Sequence, residues 1–363
     1  MTRWLLAGGG TAGHVNPLLA VADRLVDEGD EALVLGTAEG LEARLVPERG
    51  YELLVIPRLP FPRRPDAAAL RFPRAVTGSI ALTRRYLAER GIDGVIGFGG
   101  YAAAPAYLAA LASRVPFALH EQNAKPGLGN RLGARFTRSV GVTFAGTPLP
   151  HATVVGMPLR REIADLDRAG LRADARRELG LDPERPVLLV TGGSLGAQRL
   201  NTAALANART VVDAGWQVLH LGGARFELAD PDVPGYRLLP YADRMDLVLA
   251  ASDLAVCRAG ASTVAELAAL GLPAVYVPYA VGNGEQRFNA AGVVAAGGAL
   301  LEPDAAFTPE RFAEVVLPLL ADPGRLAAMT AAALGDGVRD GAARMTRLAR
   351  AGLERGRRVP SGA

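Results

Sequence analysis

Cysteine and histidine are both scarce in this chain. Its 363 residues include one cysteine, Cys257, and four scattered histidines that form no H-x-x-x-H pair. One cysteine excludes an internal disulfide and a cysteine-ligated metal cluster. A chain without disulfides is typical of a reducing cytoplasm.

Long apolar runs and concentrated charge are also missing. No apolar run reaches the roughly 18 residues that a membrane-spanning helix needs, so any membrane contact is expected to be peripheral. The first ten residues carry one arginine and then turn glycine-rich, which predicts no signal peptide. Lys125 is the only lysine, the net charge is only +3, and no basic stripe stands out. Nucleic acid is therefore not an expected partner.

What the chain does contain is an alternation of short apolar runs and helical patterns, which is typical of β-α units and a parallel sheet. A strand that leads into a glycine-rich turn occurs twice, at Gly8–Gly13 and at Gly192–Gly196. We therefore predict an α/β fold of two Rossmann-like domains that face each other across a cleft. The predicted bounds are 1–158 for the N-terminal domain, 159–340 for the C-terminal domain, and 341–363 for a helix that packs back on the first domain.

Ligands of such sheets bind at the carboxyl ends of the strands, so the strand positions decide where chemistry is expected. The predicted strands are Trp4–Ala7, Ala32–Leu35, Leu53–Ile56, Gly94–Ile96, Phe117–His120, Ser139–Val142, Pro186–Thr191, Gln217–Leu221, Tyr236–Leu239, Leu254–Val256 and Ala274–Val277. Predicted helices include Pro17–Glu28, Ala102–Ala112 and Thr263–Leu270.

The first glycine-rich loop, AGGGTAGHVNP at Ala7–Pro17, contains the spacing G-x-G-x-x-G. Its glycines permit close backbone approach, and the next helix would offer free N–H groups to an anion. A dinucleotide site also needs an acidic residue at the end of the second strand, but here Glu39 comes late. His14, next to the third glycine, is a candidate acid or base, and the alternative is a purely structural turn.

Two further motifs follow strands of the first half. Phe98-Gly99-Gly100-Tyr101 contains paired glycines, which often only make a turn. His120-Glu121-Gln122-Asn123 puts four polar residues in a row at the end of a strand, where they would make a poor core. We therefore expect them to place amide and carboxylate groups on the cleft.

The loop Gly192–Ala197, GGSLGA, is the stronger phosphate-loop candidate. Backbone N–H groups, a serine hydroxyl and a helix N-terminus would converge there. The loop lacks the Gly-Lys-Ser/Thr of a Walker motif, so ATPase chemistry is not expected. No Asp-x-Asp motif stands at a plausible metal site in the predicted cleft, and we expect neither a metal nor an organic cofactor.

Two polar segments in the second half each admit two interpretations. Thr263 and Glu266 have the spacing of a capping box at a helix start, but the carboxylate could instead accept both hydroxyls of a ribose. The segment Gly282–Asn289 either begins a solvated helix or binds sugar hydroxyls. Its polar side chains that would share one side at helical spacing are Glu285, Gln286 and Asn289.

Arginines alternate with apolar residues between Arg58 and Arg90. Pro73 could open a helix there, with one face that is either a core-facing stripe with a basic rim or a patch that binds anionic lipid. The residues of that face are Val76, Ile80, Thr83 and Leu87. The interleaved arginines and apolar residues are Arg63, Arg64, Arg71, Arg74, Arg84, Arg85, Leu70 and Phe72.

Together, these motifs resemble one family over about Trp4 to the 340s. The segments Gly9–His14, Phe98–Tyr101, His120–Asn123, Gly192–Ala197 and Cys257–Glu266 stand in the order and spacing of the MurG family. The resemblance implies a GT-B fold and inverting transfer of N-acetylglucosamine (GlcNAc) from UDP-GlcNAc to the C4 hydroxyl of lipid I, the undecaprenyl-linked muramyl pentapeptide. The product would be lipid II for peptidoglycan synthesis. The expected location is the cytoplasmic face of the cell membrane, on its anionic inner leaflet.

The resemblance also implies donor-binding residues. Ser194 and Arg160 would contact the UDP portion, and the backbone of Ala242 would bind uracil. Glu266 would accept the ribose hydroxyls, and Gln286 would hold the GlcNAc hydroxyls. The helix start that would face the diphosphate and the sugar comprises Ala261, Ser262 and Thr263.

On the other wall of the predicted cleft, four residues would lie near the donor sugar and the acceptor. They are Thr11, Ala12, Gly13 and Asn123. We expect the first loop and its helix N-terminus to seat the diphosphate of the acceptor. His14, as a neutral imidazole, is the candidate base for the acceptor hydroxyl, and the alternative is that it only orients the acceptor.

The sequence departs from the family pattern at three places. Gly156-Met157-Pro158 stands where Gly-Asn-Pro is usual, and Ala12 replaces a glycine. Glu285-Gln286 replaces two glutamines, which leaves a GlcNAc contact of Glu285 open. Other functions also remain open: an enzyme like UDP-GlcNAc 2-epimerase, a dehydrogenase, and a nucleotide-sugar sensor without turnover.

Overall fold

The computed structural model describes residues 1–58, 67–279 and 284–358, with the backbone alone for 67–71 and 357–358. The chain divides into two compact units. Unit 1 comprises Met1–Arg160 and the chain from Arg339 onward, and unit 2 comprises Arg161–Val338. Each boundary lies two residues from the predicted one. The C-terminal helix belongs to unit 1.

In the described part of unit 1, seven parallel strands form one sheet in the order β3-β2-β1-β4-β5-β6-β7. Apolar side chains cover both faces, as expected when helices connect parallel strands. The strands are β1 (Arg3–Ala7), β2 (Glu31–Gly36), β3 (Leu53–Val55), β4 (Gly94–Gly97), β5 (Phe117–Glu121), β6 (Val140–Val142) and β7 (Ala152–Val154).

The helices of unit 1 flank this sheet. They are α1 (Ala12–Asp27), α2 (Glu42–Glu48), α3 (Ala67–Glu89), α4 (Gly100–Ala112), α5 (Leu128–Gly133) and, at the end of the chain, α16 (Gly341–Arg358). Helix α1 begins five residues before the predicted start and contains Pro17. Burial of Val15 and Leu18 outweighs the one backbone hydrogen bond that Pro17 cannot donate. Helix α3 likewise begins before Pro73 rather than at it.

In unit 2, the described residues form a parallel six-stranded sheet in the order β10-β9-β8-β11-β12-β13. Its strands are β8 (Val187–Thr191), β9 (Gln217–Leu221), β10 (Tyr236–Leu239), β11 (Leu254–Cys257), β12 (Ala274–Tyr276) and β13 (Ala299–Leu301). Its helices are α6 (Arg161–Ala164), α7 (Arg168–Glu178), α8 (Gln198–Ala206), α9 (Ala208–Asp213), α10 (Met245–Ala251), α11 (Ala261–Leu270), α12 (Glu285–Asn289), α13 (Ala291–Ala295), α14 (Pro309–Leu320) and α15 (Pro323–Asp336), with a 3₁₀ turn at Asp304–Ala306.

These two sheets confirm the predicted α/β fold with two Rossmann-like units. Every predicted strand is present, and its ends lie within one residue of the prediction. Strands β7 and β13 were not predicted. Each has three residues, and those of β7 are all exposed, so β7 carries no buried apolar run to predict it.

Among the described residues, no single helix is both long enough and apolar enough to cross a membrane. One bent pair, Pro309–Leu320 with Pro323–Gly356, passes that test only when the two are taken together.

Candidate functional site

In unit 1, three loops leave the carboxyl ends of the neighbouring strands β1, β4 and β5. The first runs from Gly8 to Thr11, the N-cap of α1. Thr11 and Ala12 are exposed and Gly13 is half-buried. The predicted residues of this loop therefore form the start of a helix, whose first N–H groups have no intrahelical partner.

His14 lies on the first turn of α1 rather than in the loop before it. Its Nδ1 lies 3.0 Å from the hydroxyl oxygen of Thr11. Desolvation lowers the pKa of His14 below 6.5, and the charge of Glu42 and a backbone hydrogen bond with Gly9 only partly oppose this. The imidazole is therefore neutral at pH 7, the form that can accept a proton.

The paired glycines after β4 bring that loop against the first one. Gly99 and Gly100 have φ angles of 81° and 75°, which favour glycine. A Cβ on Gly99 would lie 3.2 Å from Nε2 of His14. A Cβ on Gly100 would lie less than 3.0 Å from the carbonyl oxygen of Gly9. The FGGY motif thus does more than turn the chain, because it permits close contact with the first loop.

The polar motif after β5 is placed differently from the prediction. His120, Glu121 and Gln122 are buried, with exposed fractions of 0%, 2% and 2%. The expectation that these side chains face a cleft is therefore wrong. Only Asn123 of the four is half-buried. The physical reason is that the other three side chains satisfy nearby backbone groups, which water would otherwise have to reach.

Glu121 organises the loop that carries Asn123. Its Oε1 accepts a hydrogen bond from the Asn123 N–H at 3.0 Å, and its Oε2 accepts from the Gly127 N–H at 3.0 Å and from Asn130 Nδ2 at 2.9 Å. The hydroxyl of Tyr107 donates to Asn130 Oδ1 at 2.7 Å. Burial raises the pKa of Glu121, although these hydrogen bonds oppose the change. The network fixes the backbone of Asn123.

His120 is a structural histidine. Its Nε2–H donates to the carbonyl oxygen of Gly156 at 2.9 Å, and its Nδ1 lies 3.2 Å from Gln122 Nε2. Burial lowers the pKa of His120 to about 4, with the Gly156 hydrogen bond opposing the change. At pH 7 the side chain is neutral and joins β5 to the segment after β7.

Glu42, which no sequence motif marks, lies against the first loop. Its Oε2 accepts a hydrogen bond from the Gly10 N–H at 2.7 Å. Its Oε1 accepts from the Thr37 N–H at 2.9 Å and from the Thr37 hydroxyl at 2.7 Å. The amide of Gly10 is therefore already occupied by a carboxylate. Binding of the acceptor diphosphate, which was predicted for this loop and helix start, would therefore have to use the first N–H groups of α1.

In unit 2, the GGSLGA loop leaves β8 and enters α8. The Gly193 N–H donates to the Thr191 hydroxyl at 3.2 Å, and the Ala224 N–H donates to the Ser194 carbonyl at 3.2 Å. A Cβ on Gly196 would lie less than 3.0 Å from the carbonyl oxygen of Gly222, so this loop packs closely on the one after β9. The side chain of Ser194 is exposed.

Helix α11 begins at Ala261, two residues before the predicted start, with Gly260 as its N-cap and no side-chain cap. Thr263 and Glu266 thus lie inside the helix, and their interpretation as a capping box is wrong. Glycine can take the cap position without a side-chain oxygen. Ala261, Ser262 and Thr263 supply the unpaired first-turn N–H groups, and Glu266 is half-buried about one turn further on.

The starts of α8 and α11 lie at the same edge of the sheet, because Thr191 of β8 pairs with Cys257 of β11. Two helix N-termini at one edge favour an anionic ligand. Among the described residues, no group of three His, Cys, Asp or Glu side chains is arranged to hold a metal ion.

The remaining predicted residues lie at separate positions. Gln286 of α12 accepts a hydrogen bond from the Tyr279 N–H at 2.8 Å. Asn289, three residues further along the same helix, is buried, and its Nδ2 donates to the Ala259 carbonyl at 3.2 Å. Ala242 is half-buried between β10 and α10. Arg160 is half-buried and ends the first segment of unit 1. Gly282 and Asn283 lie outside the described residues.

Comparison with known proteins identifies the family. The glycosyltransferase family 28 N-terminal domain matches residues 4–142, and the glycosyltransferase family 28 C-terminal domain matches residues 187–345. The UDP-N-acetylglucosamine--N-acetylmuramyl-(pentapeptide) pyrophosphoryl-undecaprenol N-acetylglucosamine transferase of Leifsonia xyli subsp. xyli is 63% identical over 355 residues, which are 97% of this chain and 99% of the relative. The chain belongs to glycosyltransferase family 28.

Within family 28, the predicted resemblance to MurG is confirmed. A crystal structure of MurG from Acinetobacter baumannii matches with a TM-score of 0.77 and 27% identity, covering 97% of this chain and 100% of that one. The predicted GT-B fold is confirmed by the same likeness. UDP-GlcNAc 2-epimerase from Neisseria meningitidis, in a structure bound to UDP-GlcNAc, matches with a TM-score of 0.68 and 14% identity over 96% of this chain and 99% of that one. At that identity only the fold is shared.

Proposed function

We propose that this family 28 chain transfers GlcNAc from UDP-GlcNAc to the C4 hydroxyl of lipid I, with inversion, to give lipid II for peptidoglycan synthesis. The observation that carries the proposal is 63% identity, over nearly the whole of both chains, with a relative named as that transferase. The epimerase alternative has less support, because its likeness extends only to the fold.

Unit 2 is proposed to bind the donor. The first turn of α11, at Ala261, Ser262 and Thr263, presents N–H groups without intrahelical partners to the diphosphate and the sugar. Ser194, in the loop before α8, contributes an exposed hydroxyl to the UDP portion. Arg160, which ends the first segment of unit 1, is proposed to contribute a guanidinium to the same portion. The remaining donor contacts, to ribose, GlcNAc and uracil respectively, come from Glu266, Gln286 and the backbone of Ala242.

Departure of UDP leaves negative charge on the diphosphate. Fixed N–H groups and helix dipoles aimed at that charge stabilise it in the transition state without reorganising. These donors are available at the starts of α8 and α11. They are the groups of this chain that we propose to assist the leaving group.

His14 is proposed to act as the general base. As the C4 oxygen of the acceptor forms its bond to C1 of GlcNAc, the bond from C1 to UDP breaks and the hydroxyl proton moves to the neutral imidazole. The lowered pKa of His14 supports this role, since no proton must first be removed at pH 7. Thr11, Ala12, Gly13 and Asn123 are proposed to line the sites of the donor sugar and the acceptor.

Release of UDP tests the transferase function. Purified protein should release UDP from UDP-GlcNAc only when a lipid I analogue is added, and the analogue should gain one GlcNAc by mass spectrometry. Conversion of UDP-GlcNAc alone to its 2-epimer would support the epimerase instead. Tight UDP-GlcNAc binding without turnover of a competent analogue would indicate a sensor, and a bound NADH signal would indicate a dehydrogenase.

We also propose peripheral binding of unit 1 to the anionic inner leaflet through α3. On this helix Thr83 and Leu87 are buried, while Arg74, Arg84 and Arg85 are exposed. The predicted stripe thus faces the core, and the exposed arginines beside it are proposed to bind anionic headgroups. Arg63 and Arg64 lie outside the described residues, as does the side chain of Arg71.

Flotation with liposomes tests the membrane proposal. Binding to vesicles that contain anionic phospholipid should weaken as salt rises and in the double variant Arg84→Glu with Arg85→Glu. Phe72→Asp, which changes a half-buried side chain near the start of α3, should weaken vesicle binding as well. Equal binding to neutral vesicles, or binding that neither salt nor the substitutions change, would contradict the proposal.

A further inference from the structure

We propose that Glu42 is a positioning residue for His14: its carboxylate, held in a cradle of three glycines, fixes the first loop at Gly10 and places a negative charge near the imidazole. The inference rests on the proposed role of His14 as the base.

The cradle is formed by glycines from three separate segments. A Cβ on Gly9, on Gly36 or on Gly40 would lie less than 3.0 Å from side-chain atoms of Glu42. Glu42 is 1% exposed. Side chains at these three positions would fill the space that the carboxylate occupies, so the loop after β1, the end of β2 and the segment before α2 all leave room for it.

The hydrogen bonds of the cradle require an ionised carboxylate. Three donors, the Gly10 N–H, the Thr37 N–H and the Thr37 hydroxyl, point at its two oxygens. Burial opposes ionisation of Glu42, but these hydrogen bonds outweigh it and lower the pKa. A carboxylate satisfied in this way joins the glycine loop to the end of β2.

Gly10 lies between the two residues that hold His14. Gly9, on one side, forms a backbone hydrogen bond with the imidazole. Thr11, on the other side, places its hydroxyl oxygen 3.0 Å from Nδ1. Gly10 has a φ of 90° and, as a glycine, many accessible conformations, so its bond to Glu42 restricts the loop at this residue. Fixing Gly10 therefore fixes both contacts of the imidazole.

The negative charge of Glu42 also acts on His14 directly. Burial lowers the pKa of His14, and Glu42 opposes this. Other charged or titratable groups are connected with Glu42 through Arg58. Arg58 and Glu39 interact with each other, Arg58 interacts with Glu42, and the Arg58 guanidinium lies 5.0 Å from the centre of the Tyr101 ring. A Cβ on Gly99, which would lie beside the imidazole, would also lie 3.5 Å from Nδ2 of Asn130, and this Nδ2 donates to the Glu121 carboxylate.

Histidine NMR on Glu42→Gln tests the inference without any substrate. The chain has four histidines, so ¹⁵N-histidine labelling gives four imidazoles, and His14→Gln assigns the signal of interest. Glutamine keeps the shape but has one acceptor oxygen and no charge, so one N–H of the cradle would face an NH₂ group. We expect the pKa of His14 to fall by about 0.5–1 unit.

The sign of this pKa shift distinguishes two roles of Glu42: a residue whose charge acts on the imidazole, and a residue that only fills space. If Glu42 merely filled space, loosening the loop would hydrate His14 and raise its pKa toward 6.5. A rise, or no change, would overturn the proposal. Glu48→Gln is the matched control, because it removes an exposed carboxylate from the same helix, and it should leave the pKa of His14 unchanged.

A second variant covers the case in which Glu42→Gln does not fold. Thr37→Val removes only the hydroxyl donor and keeps the side-chain shape. Hydrogen exchange of the peptide that spans Gly8–His14 should then be faster than in the wild type, by about 5- to 10-fold for a weakened hydrogen bond of about 1 kcal/mol. Unchanged exchange would contradict the cradle.

Activity gives a third readout. Glu42→Gln should lower kcat by about 10- to 100-fold through misplacement of the base, with UDP-GlcNAc affinity unchanged. The acid limb of the kcat profile should move to lower pH, together with the pKa of His14. If the wild type transfers no GlcNAc, the proposed function fails, but the NMR and exchange measurements still decide the role of Glu42. A loss of UDP-GlcNAc affinity equal to the loss of kcat would overturn positioning of His14.

Discussion

At the scale of single residues, two opposite influences act on His14. Desolvation lowers its pKa, and the Glu42 carboxylate raises it again in part. A base is most useful when it is unprotonated but still has appreciable affinity for a proton. Burial alone would only keep the imidazole unprotonated. The nearby Glu42 charge supports its affinity for a proton.

Replacement of His14 tests its role. His14→Ala should lower kcat by about 10²–10⁴, the usual loss when an acid or base group is removed. In the wild type, kcat should fall as pH drops through the pKa of His14, which desolvation holds below 6.5, because protonated imidazole cannot accept the proton. Steady-state assays with a lipid I analogue measure both. Near-normal turnover of His14→Ala would remove the residue from the mechanism.

Gly100 is a second single residue with a testable role. Gly100→Ala should lower both the melting temperature and kcat, since a methyl group would collide with the Gly9 carbonyl and displace the loop beside His14. We expect a cost of about 2–4 kcal/mol. Gly50→Ala is the control: its φ is also positive, at 80°, but nothing lies within 4 Å of the added atom.

Comparison of the two variants separates the cost of an alanine at positive φ from the cost of its collision with the Gly9 carbonyl. Gly50→Ala reports the cost of a positive φ alone, on the order of 1 kcal/mol. Equal melting temperatures for the two variants, measured by differential scanning calorimetry, would show that the contact with Gly9 contributes nothing.

At the scale of elements, α16 completes the core of unit 1. Met345, Ala349 and Leu353 are buried in the cluster that contains Trp4 and Val155. At the surface, Arg350 forms ion pairs with Glu28 and with Asp30, the latter at 2.9 Å. A helix from the end of the chain thus covers one face of a sheet whose first strand is formed by residues 3–7.

Truncation of one buried side chain in α16 measures this packing. Met345→Ala should lower the free energy of unfolding by about 2–4 kcal/mol, from lost burial and a residual cavity. Arg347→Ala, on an exposed position of the same helix, should change it by less than about 0.5 kcal/mol. Urea unfolding at pH 7 compares them. A small effect at Met345 would show that α16 is not required for the core.

At the scale of the whole molecule, each unit contains one fully buried structural histidine. His120 in unit 1 bonds to Gly156, and His220 in unit 2 lies 2.7 Å from the Tyr236 hydroxyl and 3.0 Å from Asn201 Oδ1. Burial lowers the pKa of each to about 4. Both side chains are therefore neutral in the folded state at pH 7.

Stability should therefore fall with acidity in a defined range. Between pH 6.5 and about 4, the unfolded chain binds protons at these histidines and the folded chain does not, so the free energy of unfolding decreases as pH drops. Well above pH 6.5 neither state binds protons at these histidines, and their contribution to the free energy of unfolding is constant. Thermal unfolding between pH 7 and 5 measures the slope.

Substitutions identify the source of that slope. His220→Gln should make the melting temperature less dependent on pH, whatever its effect at pH 7. His151→Gln, at an exposed position, should leave the slope as it is. An identical slope in His220→Gln and the wild type would assign the acid sensitivity to other groups.

The sequence by itself determined the two sheets and the glycine loops. Apolar runs such as Pro186–Thr191 are local signals, and a strand buried on both faces has few other ways to remove its side chains from water. The resemblance to MurG likewise required only the order and spacing of short motifs. A strand signal lies within a few neighbouring residues, and the order and spacing of motifs can be read along the chain without knowledge of the fold.

The tertiary structure alone decided what the polar residues near those loops do. Glu121 and Asn289 have the sequence appearance of ligand-binding groups, yet they are buried and bond to backbone or to neighbouring side chains. Glu42 has no motif around it, yet it meets Gly10, which lies 32 residues earlier. Such partners are far apart along the chain, and only the packing of the fold brings a donor to a particular acceptor.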